Sequence, residues 1–429
     1  MLKSLDPCLQ VDECPPGQRT LRVALVTETF PPEVNGVAAT IARVVEGLRQ
    51  RDHALQLIRP RQGSGELASA PPPDDDKGAI TEALPTRFAE VLMRGLPIPR
   101  YPDLKMGLPS KRALIQLWQR RRPDVVHIVT EGPLGWSALQ AATHLKLPVV
   151  SEFRTNFHAY SRYYGVGWLR APVMAYLRKF HNRTACTMVP TENLRSELAL
   201  AGFKGLRVVA RGVDAQLFNP KCRSDTLRAS WGAGPGTMVA LCVGRLAPEK
   251  NLGAVMAALD AMHEDDPRVR LVLVGDGPER TRLTQRYPGV HFAGTRRGED
   301  LAAHYASADV FLFPSVTETY GNVVPEAMAS GLAVVAYDCA AAGQLIRHGE
   351  SGLLASTDDT VGFCRQARRL AGEMAFVRSL GLKARELATQ LDWGRIVDAV
   401  VTEYEAAIAA PTLQPGLAWL QTKPTTSPS

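Results

Sequence analysis

Two glutamates, Glu318 and Glu326, lie eight positions apart in the stretch SVTETYGNVVPEAMASGLAVVAY, around a Gly-Asn pair and a proline. An apolar run stops at Pro314, and the turn TETYGN leads into the helix-like VVPEAMAS. Backbone N–H groups from Gly321 to Val323 would face such a turn, where an anionic oxygen docks well. Glu318 falls before the helix and Glu326 about one turn inside it, so both are expected to line one pocket. A carboxylate accepts hydrogen bonds from two vicinal hydroxyls, the pattern that a sugar ring or a ribose presents. Taken singly, each glutamate also reads as a surface or helix residue with no ligand.

A second loop carries complementary charge. In VGRLAPEKNL a strand ends at Gly244, where the backbone can approach a ligand closely, and Arg245 and Lys250 flank a turn opening a helix. Two cations beside helix N–H groups suit a diphosphate. Neither a Walker loop nor Gly-x-Gly-x-x-Gly is present, which disfavours dinucleotide binding. A surface turn with solvated charges is the competing account.

The elements that must position these loops alternate between strand and helix. RVALVTET reads as a buried strand; after FPPEVNG, apolar positions 41, 44, 45 and 48 share one helical face; ALQLIRP is the next strand. PDVVHIVTEGP, LPVVSEFRTNF, CTMVPTENLRSELALAGF and LRVVARGVD continue the rhythm, with Thr191 as a helix N-cap. It restarts in TMVALCVGRLAPEKNL, VRLVLVGDGPER, VHFAG, DVFLFPS and AVVAY. Two doubly wound α/β domains follow, with a hinge near residues 214–224. Ligands bind such sheets beyond the C-terminal strand ends. Those ends carry Gly36, Glu131, Arg154, Gly244-Arg245, Gly275-Asp276-Gly277 and the Glu318–Glu326 loop.

Bulk properties bound the class. The 429 residues suffice for two domains, and 45% hydrophobic and 22% charged residues describe a soluble globular chain. No run is long and apolar enough to span a membrane, and the first residues lack a signal-type apolar core. Seven scattered cysteines read as reduced thiols in a cytoplasm. Asp74, Asp75 and Asp76 invite a metal reading, but three prolines precede them and no strand aims them, so no metal site is assigned. Residues 1–210 hold 28 basic and 19 acidic side chains, so the first half carries the net positive charge. Nucleic acid, an anionic membrane and simple solvation all account for that charge. No nucleic-acid recognition module is visible.

TETFPPEVNGVAATI, PDVVHIVTEGPLGWSAL, GRLAPEKNL, VGDGPER and, above all, ETYGNVVPE followed by EAMASGLAVVA give the chain a resemblance to a known family. Over roughly residues 22–409 it resembles the retaining GT-B glycosyltransferases of family 4, and PPEVNGV and TEGPLG lean toward the lipid-acceptor branch of mannosyl-, glucosyl- and glucuronosyltransferases. The resemblance implies two Rossmann-like domains facing across a cleft. It places an N-terminal extension at 1–21, an acceptor-side domain at 22–213 and a nucleotide-sugar domain at 214–390. A helix at 391–409 crosses back to the first domain, while the tail at 410–429 reads as disordered from its proline, serine and threonine content.

The resemblance also implies roles. Glu318 would hold donor-sugar hydroxyls and Glu326 the ribose diol, while Arg245 and Lys250 neutralise the departing diphosphate. Gly36 lets the N-terminal loop close over the phosphates, and the backbone near Arg296 meets the base. Gly244, Tyr320, Gly321, Asn322 and Val323 complete the donor site. Similar enzymes often show Ser-Phe-His-Thr where this chain has SEFRT, so Arg154 replaces a histidine; it is a permanent cation and no base. His158 stands four residues on and, with Glu131, is assigned to the acceptor side. The expected reaction is a front-face transfer without cofactor or metal, in which the departing phosphate oxygen takes the acceptor's proton. Segments 111–122 and 160–183 mix Arg and Lys with Trp, Tyr and Leu, which suits a peripheral enzyme at the inner face of an anionic membrane. A soluble acceptor, a GT-B epimerase and a non-catalytic sugar-binding protein are the alternatives.

Overall fold

The computed structural model describes residues 19–33, 35–62, 87–98, 101–154 and 170–410. His158, Asp74–Asp76 and the segments 1–18 and 411–429 lie outside the described residues.

The first sheet begins with β1 (Arg22–Val26), helix α1 (Gly36–Gln50), β2 (Ala54–Pro60) and β3 (Phe88–Met93). A hairpin of β4 (Gly95–Ile98) and β5 (Tyr101–Gly107) follows, then α2 (Lys111–Arg120), β6 (Val125–Ile128), α3 (Pro133–His144) and β7 (Val149–Glu152). The domain closes with α4 (Arg170–His181), β8 (Cys186–Val189), α5 (Glu192–Leu200) and β9 (Leu206–Val208). Seven strands run parallel in the order β3-β2-β1-β6-β7-β8-β9. Parallel strands need crossover helices, which cover both faces and keep these short apolar runs buried.

After α6 (Asp225–Ser230), the second sheet takes β10 (Val239–Val243), α7 (Leu252–His263), β11 (Arg270–Val274), α8 (Arg280–Arg286), β12 (His291–Gly294), α9 (Gly298–Ala306) and β13 (Val310–Phe313). Then come α10 (Val323–Ala329), β14 (Ala333–Tyr337), α11 (Ala340–Leu345), β15 (Leu353–Ala355), α12 (Thr360–Arg368), α13 (Met374–Ala388) and α14 (Trp393–Ala409). Six parallel strands pair in the order β12-β11-β10-β13-β14-β15. Every residue of β10 and of β14 is buried, as expected for strands covered on both sides.

Local chemistry explains the helix starts nearest the site. The Asn35 side chain accepts from Ala38 N at 2.8 Å and caps α1, whose Ile41, Val44, Val45 and Leu48 enter the core. Thr191 caps α5 by accepting from Leu194 N at 3.3 Å. The last helix, α14, lies on the first domain: Val397, Val400, Tyr404 and Ala407 share a core cluster with the buried face of α1. The approach is close, since a Cβ on Gly47 would stand 2.5 Å from Val397 Cγ2. Between the two sheets, Asn322 Nδ2 donates to Gly36 O at 3.3 Å and Thr40 Oγ1 at 3.2 Å, and Thr319 Oγ1 donates to Arg154 O at 3.0 Å.

Candidate active site

Each sheet reverses its winding at one place, between β1 and β6 in the first domain and between β10 and β13 in the second. Helices leave in opposite directions there, and the strand ends open a crevice. The loops at these places carry Gly36 and Glu131 on one side, and Gly244, Arg245, Lys250 and Glu318 on the other.

The loop after β10 is held by close backbone packing. Gly275 has φ +138°, and a Cβ there would lie 1.9 Å from Gly244 O, so only glycine fits. Around Gly244 itself there is open space. Leu246 N donates to Asp276 O at 2.9 Å, and the chain turns through Pro248–Lys250 to Asn251, whose left-handed φ of 52° opens α7. Arg245 pairs with the fully buried Glu249 carboxylate. The Lys250 ammonium pairs with Glu318, and Ser315 Oγ donates to the same carboxylate oxygen at 3.0 Å. Burial works to raise the Glu318 carboxyl, but Lys250 and Ser315 outweigh it and hold it below the usual range.

The loop after β13 reaches both domains. Tyr320 OH donates to Arg211 O at 3.1 Å, and Gly321 takes a left-handed φ of 89°. Asn322 meets Gly36 and Thr40 through its amide nitrogen and accepts from Arg211 Nη1 at 3.1 Å through its oxygen. Val323 begins α10, and Glu326 follows within its first turn. Tyr305 OH donates to Glu326 Oε2 at 2.9 Å. The shielded surroundings push the Glu326 carboxyl up to about 7, with Tyr305 opposing the shift. The two glutamates of this loop therefore lie in opposite electrostatic settings: one neutralised by a lysine, the other with a neutral donor. Arg296 bonds its own segment, donating to Ala293 O at 2.9 Å and Asp300 Oδ2 at 3.1 Å, rather than this pair.

On the first domain, Arg154 follows β7 and is buried against Glu152. Glu152 Oε1 stands 2.9 Å from His127 Nε2, and His127 Nδ1 meets Tyr404 OH of α14 at 2.7 Å. The two ring nitrogens of His127 thus face Glu152 on one side and Tyr404 on the other. Burial would raise Glu152, yet Arg154 and His127 prevail and hold it at about 2. Arg211, beyond β9, is also buried; burial and the adjacent Arg154 push its guanidinium down to about 9, still charged at neutral pH.

Glu131 is buried, and its Oε1 has no hydrogen-bond partner among the described residues; His181 Nε2 lies 3.7 Å away. His181 Nδ1 in turn meets Ser151 Oγ at 3.0 Å. That order of acid, histidine and serine is an interior network: Ser151 and His181 are fully buried, and Ser151 Oγ also meets Thr184 and Thr187. Glu28, after β1, accepts from Leu134 N at 3.0 Å and from Gly107 N, and burial raises its carboxyl.

Sequence reasoning singled out Arg154 but missed Glu28, His127, Glu152, Arg211 and Tyr404. Glu28, Glu152 and Arg211 satisfy the criterion that selected Arg154, being charged residues at or just beyond the C-terminal ends of parallel strands. Tyr404 left no such signal.

Comparison with known proteins adds to this geometry. Residues 34–217 match the family model described as Glycosyltransferase Family 4, and residues 237–373 match Glycosyl transferases group 1. The chain is 34% identical over 398 residues to a GDP-mannose-dependent alpha-mannosyltransferase of Mycolicibacterium smegmatis, covering 92% of this chain and 100% of that one. It is 27% identical to an alpha-monoglucosyldiacylglycerol synthase of Streptococcus pneumoniae, covering 74% of this chain and 71% of the other. Among solved structures, sucrose-phosphate synthase from Thermosynechococcus elongatus shares the fold with a TM-score of 0.73 at 19% identity, over 91% of this chain and 100% of that chain.

Proposed function

This chain belongs to the family 4 glycosyltransferases of GT-B fold, and from that premise we propose that it moves a hexose from GDP-mannose, UDP-glucose or UDP-glucuronate, with retention, to a hydroxyl of a membrane lipid such as diacylglycerol or a glycolipid. The observation that carries this reading is the junction of the loops after β10 and β13. There Lys250 and Ser315 converge on Glu318, and Glu326 stands on the helix that follows.

In this reading Glu318 accepts hydrogen bonds from the donor sugar and Glu326 from the ribose diol. Arg245 and Lys250 bring positive charge to the diphosphate, Gly244 leaves it room, and Gly36 closes the N-terminal loop over it. Tyr320, Gly321, Asn322 and Val323 form the wall between sugar and nucleotide, and the backbone beside Arg296 meets the base. Arg154 contributes a fixed charge, while Glu131 and His158 belong to the acceptor side. The bond from the anomeric carbon to the diphosphate oxygen breaks, and the acceptor oxygen bonds the same carbon from the same face. The acceptor's proton passes to the departing phosphate oxygen, and Arg245 and Lys250 stabilise the charge that develops.

The lipid acceptor is supported by the name of the Streptococcus pneumoniae relative and by the basic first half of the chain. No helix among the described residues is long and apolar enough to cross a membrane, so the proposed attachment is peripheral and electrostatic, at the inner face. The test offers GDP-mannose, UDP-glucose and UDP-glucuronate to the purified protein with liposomes containing diacylglycerol, in the presence of EDTA. A new glycolipid from one donor, lost in Glu326→Ala and Arg245→Ala, is the expected result. Transfer that requires added metal would overturn the metal-free route. Nucleotide release with no change in any lipid would overturn the lipid acceptor and point to a soluble or polysaccharide one.

A further inference from the structure

Arg154 is unusual among the buried arginines. Its side chain is 4% exposed, Glu152 takes one nitrogen, and Nε and Nη1 have no hydrogen-bond partner among the described residues. Arg228, 7% exposed, shows how a structural arginine is satisfied: it donates to Ser307 O at 2.7 Å, Asp309 Oδ2 at 3.0 Å and Thr237 O. A buried charged group without partners is costly, and such orphans persist where a ligand completes them. Arg211 stands in the same cluster, its face over Tyr320 at 5.4 Å and one nitrogen on Asn322. Two guanidiniums thus stand in one cluster: Arg154 is ion-paired to Glu152 and feels the Glu131 carboxylate, while Glu318 is taken up by Lys250. Glu152, Arg154 and Arg211 line a small recess, partly open to solvent, whose other walls include Thr40, Pro190 and Trp393.

We infer that Arg154 and Arg211 form a subsite for one oxyanion (a carboxylate, sulfonate or phosphate carried by the donor sugar or by the acceptor), separate from the place where Arg245 and Lys250 meet the donor diphosphate. The inference rests on the glycosyltransferase reading only for the source of the anion. A neutral hexose offers only weak acceptors to the idle N–H groups of Arg154, whereas an oxyanion accepts charge-assisted hydrogen bonds from them beside a second guanidinium.

Binding of inorganic sulfate to the full chain, measured by calorimetry, tests the subsite without turnover. The expected result is a sulfate site retained in Arg245→Ala and weakened at least about tenfold in Arg154→Gln, the loss typical of one charged hydrogen bond. Should Arg154→Gln fail to fold, Arg154→Met combined with Glu152→Gln removes both charges of the pair and is read instead. Absence of sulfate binding to the wild type, equal binding by the Arg154 variants, or loss of the same ion in Arg245→Ala would each overturn the inference. The source follows from kcat/KM. A uronate donor is compared with its neutral hexose on the nucleotide that the enzyme accepts, and phosphatidylglycerol is compared with diacylglycerol as acceptor. A gain of about tenfold on the charged donor or on the charged acceptor, lost in Arg154→Gln, supports the subsite and names its source. No gain on either overturns it. Failure of every donor to release nucleotide would sink the glycosyltransferase reading, while sulfate binding would still decide the subsite.

Discussion

Replacing Glu326 by glutamine should remove a pH dependence of donor binding that the wild-type protein shows near neutrality. The Glu326 carboxyl is pushed up to about 7 by its shielded position, against an ordinary value of 4.5. The ionised form accepts from both hydroxyls of a diol, whereas the protonated form spends one oxygen on its own proton. If binding requires the ionised form, about one molecule in eleven is competent at about pH 6 and about ten in eleven at about pH 8, so apparent affinity rises about tenfold between them. Glutamine keeps the shape but loses the charge, which costs about 1.5–3 kcal/mol for a charged hydrogen bond. Glu326→Gln should therefore bind weakly and equally at both pH values. Calorimetry with UDP-glucose or GDP-mannose, whose diphosphate is esterified at both ends and does not titrate near neutrality, supplies the affinities, and comparison of buffers of different ionisation enthalpy should show proton release by the wild type alone. The fold should not suffer: a carboxyl raised in the native state loses stability as pH rises from about 4.5 to about 7, so the amide is at least as stable above that window. A wild-type profile flat across neutrality, or an inflection that survives in Glu326→Gln, would refute this assignment.

Three further outcomes are expected. Glu152 is held at about 2, below its ordinary 4.5, so its contribution is complete above about 4.5 and disappears as pH falls toward 2; urea midpoints of the wild type should drop across that interval, and those of Glu152→Gln less steeply. Gly275→Ala places a Cβ 1.9 Å from Gly244 O at a φ of +138°, and denaturant titration should show a loss of several kcal/mol, beyond the common range of about 0.5–3 kcal/mol. Tyr404→Phe removes the hydroxyl that meets His127 Nδ1, and should lower stability by about 1 kcal/mol in the same titration.

The legible part of this protein lay at the ends of its strands. Short apolar runs closed by Gly, Arg, Thr or Glu announce parallel strands, and Gly36, Gly244 and Glu318 lie in the loops at the reversal points of the two sheets. β3 and the β4–β5 hairpin went unread because residues 79–110 mix prolines with charges and show no clean alternation. Pairing across the chain was the other gap. Lys250 and Glu318 both read as free ligands of the substrate, yet they bind each other across a separation of 68 residues. The contact of His127 with Tyr404 spans 277 residues, and nothing local to either position foretells it. Arg154 stands out in the sequence as a departure from a motif; its idle N–H groups depend on what β9 and the loop after β13 bring beside it.

The packing of α14 on α1 has a consequence for how the polypeptide is made. The face formed by Ile41, Val44, Val45 and Leu48 is completed by Val397, Val400 and Tyr404, which the ribosome delivers only after the whole second domain. The earlier half therefore emerges with part of its interior still bare, and it waits through the synthesis of another complete sheet for its last piece. A nascent chain stalled before Trp393 should be a client of chaperones and a target of proteases, even though all seven strands of its first sheet have already been translated.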